Sequence, residues 1–335
     1  MKAALYTGYG TPDVVRIMET EKPVPEDNEV LIRVRAAAVN PLDSHLMRGK
    51  PYLMRLAFGL RRPNDPRIGR DVAGEVESLG RSVTGIKPGD EVFGACRGAL
   101  AEHACIAESA LALKPRNITF EQAAATPIAA LTALQGLREY GHIRGQIEGQ
   151  VEGQTQAAQK VLINGASGGV GTFAVQIAKA FGAEVTAVCG TSNVEMLRSL
   201  GADHVIDYTR EDFTTGRERY DLVFDLVSNH SLRACRRVLS VGGAYVGAGA
   251  LGGRGMLDFA ALMIKPAVFS PLISQRMVAF VAKARRADLI LIARLMESGQ
   301  VTPVIDRCYS LSEAAEAIRY VAEKHARGKV AIAVP

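Results

Sequence analysis

A glycine-rich segment, Gly165-Ala166-Ser167-Gly168-Gly169-Val170-Gly171, has the residue types best suited to binding a charged ligand. It follows the apolar run 161–163 and opens the periodic stretch 170–181, so a strand should end and a helix begin at this loop. Glycines let a backbone approach a pyrophosphate, and the N–H groups at a helix N-terminus attract its negative charge. The alternative is a glycine-rich turn without a ligand. The predicted dinucleotide-binding loop is therefore 165–171, with Gly168 at its centre.

The segment after the next predicted strand, residues 185–188, bears on the choice between NADPH and NADH. A site for NADH usually has an Asp or Glu about twenty residues after the loop, where it binds the ribose hydroxyls. The sequence has Cys189-Gly190 there, followed by Thr191-Ser192-Asn193, and offers no carboxylate. Small hydroxyl and amide groups suit a 2′-phosphate, so we predict NADPH, with NADH possible, bound through Thr191 and Ser192. Capping of the following helix is the alternative role, and the two roles can coexist.

The pattern around these segments indicates an α/β protein with a doubly wound parallel sheet. From residue 160 onward, short apolar strands alternate with helices, as in a sheet covered on both faces. Before residue 120 the chain is β-rich, with strands predicted at 30–39, 72–76 and 91–93. A helix is predicted over 120–140, with Thr119 as its N-cap and Gln122 three residues on. The last strand, 330–334, is expected to return to the first domain and make it discontinuous.

Composition excludes several function classes. Forty Lys and Arg and 35 Asp and Glu are interspersed and give a net charge of +5, which predicts no nucleic-acid partner. No apolar run is long enough for stable membrane insertion, and residues 1–6 do not resemble a signal peptide. Five cysteines without a CxxC pair favour a reducing compartment, and we expect a cytoplasmic protein. Residues 144–159 are predicted to be a surface loop, and 257–280 a possible homodimer interface or a cap over the substrate.

Seven motifs in this order resemble the zinc-independent quinone oxidoreductase branch of the medium-chain dehydrogenase/reductase superfamily. The resemblance covers nearly the whole chain. The motifs are N-P-x-D from Asn40, GRDVAGEVESLG from Gly69, GDEVFG from Gly89, LTAL from Leu131, ASGGVG from Ala166, LGADHVIDY from Leu200 and HARGKV from His325.

The resemblance implies a discontinuous GroES-like, β-rich catalytic domain and a doubly wound Rossmann domain. The expected limits are 1–125 for the first part of the catalytic domain, 126–265 for the Rossmann domain and 266–335 for the return. It also implies NADPH contacts by Ser167, Gly169 and Val170 on the pyrophosphate and nicotinamide side. Tyr208 would lie near the 2′-phosphate and Thr132 near the nicotinamide carboxamide. Relatives commonly have Ser at the position of Gly190 and often Arg at that of Ser192, so this chain departs from the pattern. The contacts implied for the C-terminal segment are His325, Ala326 and Arg327.

The motifs also bear on metal binding. Zinc-dependent members of the superfamily use a Cys and a G-H-E histidine, and the matching positions here are Asn40 and Arg70, with Asp71 at the glutamate position. We therefore predict no metal. Without a metal electrophile, hydride transfer is easiest to acceptors that delocalise the incoming charge. Quinones and α,β-unsaturated carbonyl compounds do this.

The predicted function is hydride transfer from NADPH to a quinone or enone. Asn40 is the candidate for hydrogen bonding to the acceptor oxygen or the nicotinamide ribose. Tyr52 is the candidate proton donor, with a role in the pocket wall or on the surface as its alternative. Two other functions remain open. One is a zinc-free dehydrogenase or enoyl reductase acting on another carbonyl, and the other is a non-catalytic NADPH-binding regulatory protein.

Overall fold

Both ends of the sequence belong to one structural unit, and the middle of the chain forms another. The computed structural model describes residues 1–49, 52, 54–143, 158–248, 274–323 and 326–335. Unit 1 consists of Met1–Leu131 and Lys283–Pro335, and unit 2 of Thr132–Ala282. The predictions for 257–273 and for most of 144–159 lie outside the described residues. The domain limits expected at 125 and 265 stay predictions.

The first 120 residues are β-rich, as predicted. Their strands are β1 (Lys2–Tyr6), β2 (Val15–Glu19), β3 (Glu29–Val39), β4 (Asp71–Leu79), β5 (Glu91–Ala95), β6 (His103–Ala107) and β7 (Leu111–Leu113). β1 and β2 form an antiparallel pair. β3 pairs antiparallel with both β4 and β6, and β5 joins β4 to β7. The predicted strands at 30–39, 72–76 and 91–93 are therefore confirmed.

Four helices lie in or next to this region. They are α1 (Pro41–Arg48), α2 (Met54–Phe58), α3 (Phe120–Ala124) and α4 (Pro127–Gln135). The predicted capping box of α3 is confirmed, because Thr119 accepts from the N–H of Gln122 and Gln122 accepts from that of Thr119. The stretch 120–140 is helical, as predicted, but it is divided into α3 and α4. Pro127 has no N–H and disfavours the helical conformation for Thr126, so the helix breaks there. A π-helical turn follows α4.

Unit 2 is built on a parallel sheet. Its strands are β8 (Lys160–Asn164), β9 (Glu184–Cys189), β10 (His204–Asp207), β11 (Tyr220–Asp225), β12 (Leu239–Gly247) and β13 (Arg276–Ala279). Their order is β10–β9–β8–β11–β12–β13, and every pairing is parallel. The helices between the strands are α5 (Gly169–Ala180), α6 (Val194–Ser199) and α7 (Leu232–Arg237). The strand order reverses between β8 and β11, which is where doubly wound sheets bind ligands.

The C-terminal part completes the sheet of unit 1. Its elements are α8 (Arg286–Glu297), β14 (Ile305–Ser310), α9 (Ala314–Ala322) and β15 (Lys329–Ala333). β15 lies between β14 and β3, with Val330 opposite Val39, so the predicted return of the chain is confirmed. Residues of α9 and β15 belong to the same apolar core as β3 and β4. The fold is thus the expected combination of a discontinuous β-rich domain and a doubly wound Rossmann-type domain.

Candidate cofactor and substrate sites

The glycine-rich loop joins the end of β8 to the first turn of α5. Gly165 has a φ of 84°, a conformation that side chains rarely adopt, and the N–H of Ala166 donates to the carbonyl of Val188 at 3.1 Å. A Cβ on Gly171 would lie 2.3 Å from the carbonyl oxygen of Gly165. This glycine is therefore needed for α5 to pack against the loop.

The start of α5 suits an anionic ligand. Gly168 is the N-cap, and no side chain caps the helix there. The N–H groups of the first turn have no acceptor within the helix and lie at the positive end of its dipole. A Cβ built on Gly168 would have no protein atom nearer than the Gly165 carbonyl oxygen at 3.5 Å. The protein thus leaves space above the N-terminus, where Ser167, Gly169 and Val170 are half-buried.

The residues predicted to bind the adenosine end of the cofactor come directly after β9 and β10. Tyr208 comes directly after β10, its N–H donates to the carbonyl of Cys189 at 3.0 Å, and its side chain is 63% exposed. A Cβ on Gly190 would lie 3.1 Å from the Tyr208 hydroxyl, so the ring lies beside the glycine. Ser192 is exposed. The structure thus brings these residues together at the carboxyl edge of the sheet that also holds the glycine-rich loop.

A carboxylate is present at this strand end, contrary to the prediction from sequence. The hydroxyl of Thr191 donates to Asp207 at 2.6 Å, and Thr209 donates to the same carboxyl group at 2.8 Å through its hydroxyl. The hydrogen bond from Thr191 is the main cause of the lowered pKa of Asp207. Asp207 belongs to β10, so counting residues along β9 misses it. The capping role considered for Thr191 is wrong, because its hydroxyl bonds to these side chains instead.

A buried hydrogen-bond network fixes the loop at the switch point between β8 and β11. Asp225 is fully buried and accepts from the Asn164 amide and from the Tyr245 hydroxyl, both at 2.9 Å. It also accepts from the N–H groups of Val227 and Ser228. Burial raises the pKa of Tyr245, so its phenol stays a donor. This network holds the loop after β11 beside the glycine-rich loop.

Unit 1 contains a second buried polar cluster, at the start of α1. Asn40 is 4% exposed, and its side chain accepts from the ammonium of Lys329 at 2.7 Å and donates to Asp71 at 2.9 Å. The Lys329 ammonium also donates to Asp71 at 3.0 Å. The other carboxyl oxygen of Asp71 accepts from the N–H of Ile128 at 2.9 Å. Buried charges need such partners, so this cluster holds β3, β4 and β15 together.

Asp43 lies next to this cluster and has a structural role. Its Oδ2 accepts from the N–H of Asn40 at 2.8 Å, which completes the capping box of α1. Burial is the largest cause of its raised pKa of about 6, and the charge of Asp71 adds to the rise. The hydrogen bond from Asn40 and the charges of Arg70 and Lys329 oppose it.

The raised pKa of Asp43 predicts a pH-dependent stability. The folded protein holds this proton up to about pH 6, whereas an unfolded Asp releases it near 3.8. The free energy of unfolding of the wild-type protein should therefore decrease as the pH rises through this window. The Asp43→Asn variant should not show this decrease. Thermal melts of both proteins across the window measure the difference. A melting difference that stays constant from low to high pH would contradict the prediction.

The remaining predicted residues have these positions. Tyr52 is 65% exposed and lies beside the guanidinium of Arg55. Thr132, on α4, is 8% exposed. Ala326 is partly buried against the core of unit 1, whereas Arg327 is exposed and its N–H donates to Asp306. His325 lies outside the described residues. Their roles in catalysis or cofactor binding stay predictions.

Known proteins resemble this chain in both sequence and fold. The model of the alcohol dehydrogenase GroES-like domain matches residues 26–119, and that of the zinc-binding dehydrogenase matches 200–332. The 2-methylene-furan-3-one reductase of Solanum lycopersicum and the chloroplastic NADPH-dependent alkenal/one oxidoreductase of Arabidopsis thaliana are each 35% identical. Each alignment covers 99% of this chain and 79% of the relative. The quinone oxidoreductase structure from Coxiella burnetii superposes with a TM-score of 0.83 at 27% identity, covering 100% and 99% of the two chains.

The chain belongs to the quinone oxidoreductase branch of the medium-chain dehydrogenase/reductase superfamily. Its matching residues do not form the zinc site that one of the family models is named for. The side chain oxygens of Asn40 and Asp71 both accept from the Lys329 ammonium, and a cationic Arg70 stands at the histidine position. Among the described residues, no three His, Cys, Asp or Glu side chains are grouped to hold a metal ion. An ammonium and a guanidinium do not fit a zinc ion.

Two residues of this superfamily member were missed by reasoning from sequence. Lys329 is only 4% exposed, and its partners are far away along the chain, so nothing local distinguishes it from a surface lysine at a strand end. Asp207 could have been found from the IDY motif, because parallel strands place their ends at one edge of the sheet. The structure leaves all five cysteines free. A helix able to span a membrane is missing from the described part of the chain.

Proposed function

We propose that this protein transfers hydride from NADPH to an α,β-unsaturated carbonyl compound or a quinone and uses no zinc. The observation that carries the proposal is the uncapped N-terminus of α5 behind a glycine-rich loop, at the edge of a six-stranded parallel sheet. The relatives named as an alkenal/one oxidoreductase and a 2-methylene-furan-3-one reductase support the acceptor class. The name of the Arabidopsis relative supports NADPH.

The residues present fit a dinucleotide. Ser167, Gly168, Gly169 and Val170 would hold the pyrophosphate through the N–H groups that open α5. The 2′-phosphate would lie between Tyr208 and the Thr191-Ser192 pair. Thr132, His325, Ala326 and Arg327 are proposed as further cofactor contacts. When bound, the reduced nicotinamide supplies the hydride, and the protein's own task is to orient the reactants and exclude water.

The chemistry of the cluster in unit 1 favours acceptors that need no metal. A bound zinc ion stabilises the developing oxyanion of a transition state by roughly several kcal/mol. A protein that uses no zinc lacks this stabilisation. Enones and quinones spread the incoming charge over conjugated atoms, so they demand less from the enzyme. We keep Asn40 and Tyr52 as proposed contacts to the acceptor. The amide of Asn40 already bonds to Lys329 and Asp71, so its second N–H is the group it can offer.

The test follows the absorbance of NADPH with a panel of quinones, enones, saturated ketones and alcohols. We expect turnover with the conjugated acceptors and none with simple alcohols, unchanged after treatment with a chelator. Loss of activity on chelation, restored by zinc, would contradict the zinc-free proposal. Saturable oxidation of alcohols would favour a dehydrogenase acting on another carbonyl. Tight NADPH binding without turnover on any acceptor would indicate a regulatory protein.

The position of Asp207 predicts that it limits the preference for NADPH. Its carboxylate accepts a hydrogen bond from the Thr191 hydroxyl, so its negative charge lies close to the proposed 2′-phosphate position. Asp207→Asn should raise the ratio of kcat/KM for NADPH over NADH by about tenfold. The measurement compares both cofactors with one enone. Asp212→Asn, at an exposed turn that caps a short helix, is the control, and an equal change in both variants would contradict a local effect.

Location and assembly complete the proposal. We propose a cytoplasmic protein that acts on small molecules rather than on nucleic acid or membranes. A homodimer is proposed as its assembly. Sedimentation at several protein concentrations tests the homodimer directly, and a single species of monomer mass at all of them would contradict it.

A further inference from the structure

The segment 44–64 of unit 1 carries the whole net charge of the protein. Five of the 40 Lys and Arg residues lie in it, and it has no Asp or Glu. The other 35 basic residues are equal in number to the 35 acidic ones, so the rest of the chain is neutral. The positive charge is therefore local, and it creates an attractive field for an anionic partner at this segment. Its basic residues are Arg48, Lys50, Arg55, Arg61 and Arg62.

Two large apolar side chains of the same segment are mostly exposed to solvent. Leu56 of α2 is 69% exposed, and Leu60, four residues further on, is 65% exposed. The exposure is selective, because Met47 is fully buried in the core of unit 1 and Phe58 is half-buried. Large aliphatic side chains that stay in water together mark a surface on which an apolar partner is expected.

The arginines beside these leucines have no acidic partner. Arg61 and Arg62 follow Leu60 directly and are exposed, and neither forms a hydrogen bond or ion pair with a described residue. Asp65 is the next acidic residue along the chain, and Arg67 already binds it through two hydrogen bonds of 2.9 Å. The two guanidinium groups are therefore available to bind phosphate groups from outside the protein.

The backbone under the exposed side chains is anchored to unit 1. Arg55 donates from Nε to the carbonyl of Gly49 at 3.2 Å, and its guanidinium lies 4.3 Å from the ring centroid of Tyr9. The Tyr9 hydroxyl donates in turn to the carbonyl of Gly59. The N–H of Gly59 donates to the carbonyl of Arg55 at 2.9 Å. The exposure of the leucines is thus not the result of a loose loop.

Charge and apolar character together select one kind of partner. Pairing with a second copy of this chain would bring two positively charged segments together, which is unfavourable. Nucleic acid would neutralise the arginines but leave the leucines in water. A bilayer with anionic lipids satisfies both, because its phosphate groups bind arginine and its acyl boundary takes up leucine side chains.

We propose that the basic apolar surface formed by Leu56, Leu60, Arg61 and Arg62 docks this protein onto an anionic phospholipid bilayer. Only two apolar side chains would enter the acyl boundary, so the docking is peripheral and reversible. It agrees with the predicted lack of stable membrane insertion. The lipid would hold the protein without being its substrate. The inference thus goes beyond the proposed hydride transfer, and it needs no nucleotide.

The test is cosedimentation of the wild-type protein with lipid vesicles in the absence of nucleotide. One set of vesicles contains phosphatidylcholine and phosphatidylglycerol at about 2:1, and the other contains phosphatidylcholine alone. We expect binding to the neutral vesicles to be at least about tenfold weaker. Salt at about 1 M should release the protein from the anionic vesicles, because it screens charges beyond roughly 3 Å. Equal binding to both sets, or no binding to the anionic one, would overturn the proposal.

A double arginine variant tests the charged part of the surface. Arg61→Gln with Arg62→Gln should weaken binding to the anionic vesicles at least about tenfold, because two attractive charges are lost. The matched control is Arg81→Gln with Arg198→Gln, whose side chains are 92% and 60% exposed elsewhere. The control should bind like the wild type. Equal losses in the two double variants would overturn the proposal, because the attraction would then be general.

A double leucine variant tests the apolar part. Leu56→Ser with Leu60→Ser should weaken binding to the anionic vesicles about tenfold. Val24→Ser with Val241→Ser is the control, because these side chains are 84% and 91% exposed, and it should bind like the wild type. A leucine variant that binds like the wild type would overturn the proposal. So would a dimer in solution that this variant abolishes, if the wild type binds no vesicles.

Hydrogen exchange of the wild-type protein covers the case of a variant that does not fold. The backbone amides of residues 54–62 should exchange more slowly when anionic vesicles are added, and neutral vesicles should leave their exchange unchanged. Slower exchange confined to other parts of the chain would overturn the proposed surface.

Discussion

Replacing Gly168 with Asp is expected to abolish NADPH binding while leaving the thermal stability of the protein unchanged or slightly higher. Gly168 is the N-cap of α5, with φ −80° and ψ 176°, a conformation that Asp adopts readily. An aspartate there would accept N–H groups of the first turn and interact favourably with the helix dipole. The same carboxylate would occupy the proposed pyrophosphate position and repel it. We expect at least a hundredfold loss of affinity, on the order of 3 kcal/mol.

Calorimetric titration with NADPH and a thermal melt of the same samples check this prediction. Gly216→Asp is the matched control, because Gly216 has a φ of −65° and a Cβ there meets nothing closer than 3.5 Å. It should bind NADPH like the wild type. Gly171→Ala should instead lower the melting temperature, because its Cβ would overlap two backbone carbonyls. NADPH binding that survives in Gly168→Asp would contradict the proposed cofactor site.

Replacing Lys329 with Met should cost about 3–5 kcal/mol of stability, because it leaves the fully buried Asp71 carboxylate without its cation. Asn40 would lose its donor as well. Met has a volume similar to that of Lys, so the loss of stability would come from the missing charge rather than from a cavity. The melting temperature of unit 1 should fall by on the order of 10 °C, as measured by calorimetry.

Two variants separate this effect from a general loss of lysine. Lys22→Met breaks the ion pair between Lys22 and Glu77, whose two side chains are 42% and 40% exposed respectively. Because the pair is exposed, this variant should lose less than about 1 kcal/mol of stability. The double variant Lys329→Met with Asp71→Asn removes both charges and should recover most of the lost stability. A double variant no more stable than Lys329→Met would show that the ion pair is not the cause.

Local patterns in the sequence were sufficient to predict most of the strands of unit 2 and its glycine-rich loop. Each strand there is a short apolar run, and the loop's glycines mark the turn by their backbone freedom. The break within the helical stretch 120–140 also has a local signal, because Pro127 marks it.

Contacts between distant segments could not be predicted in the same way. The hydrogen bonds of Lys329 depend on β15 pairing with β3, which no pattern near residue 329 reveals. Asp207 is a partial exception, because the IDY motif marks the end of β10, although its contact with Thr191 depends on β10 lying beside β9. Such features emerge only when the register of every neighbouring strand is known.

The insertion of β15 between β14 and β3 has a consequence for synthesis on the ribosome. The ammonium that neutralises Asp71 is 258 residues further along the chain. The nascent sheet therefore stays incomplete, with an unneutralised carboxylate and an unfilled strand position, until β15 has been translated. Unit 2 is contiguous and has no such dependence. The middle of this protein can consequently mature first, and its N-terminal segment last, in an order opposite to that of emergence.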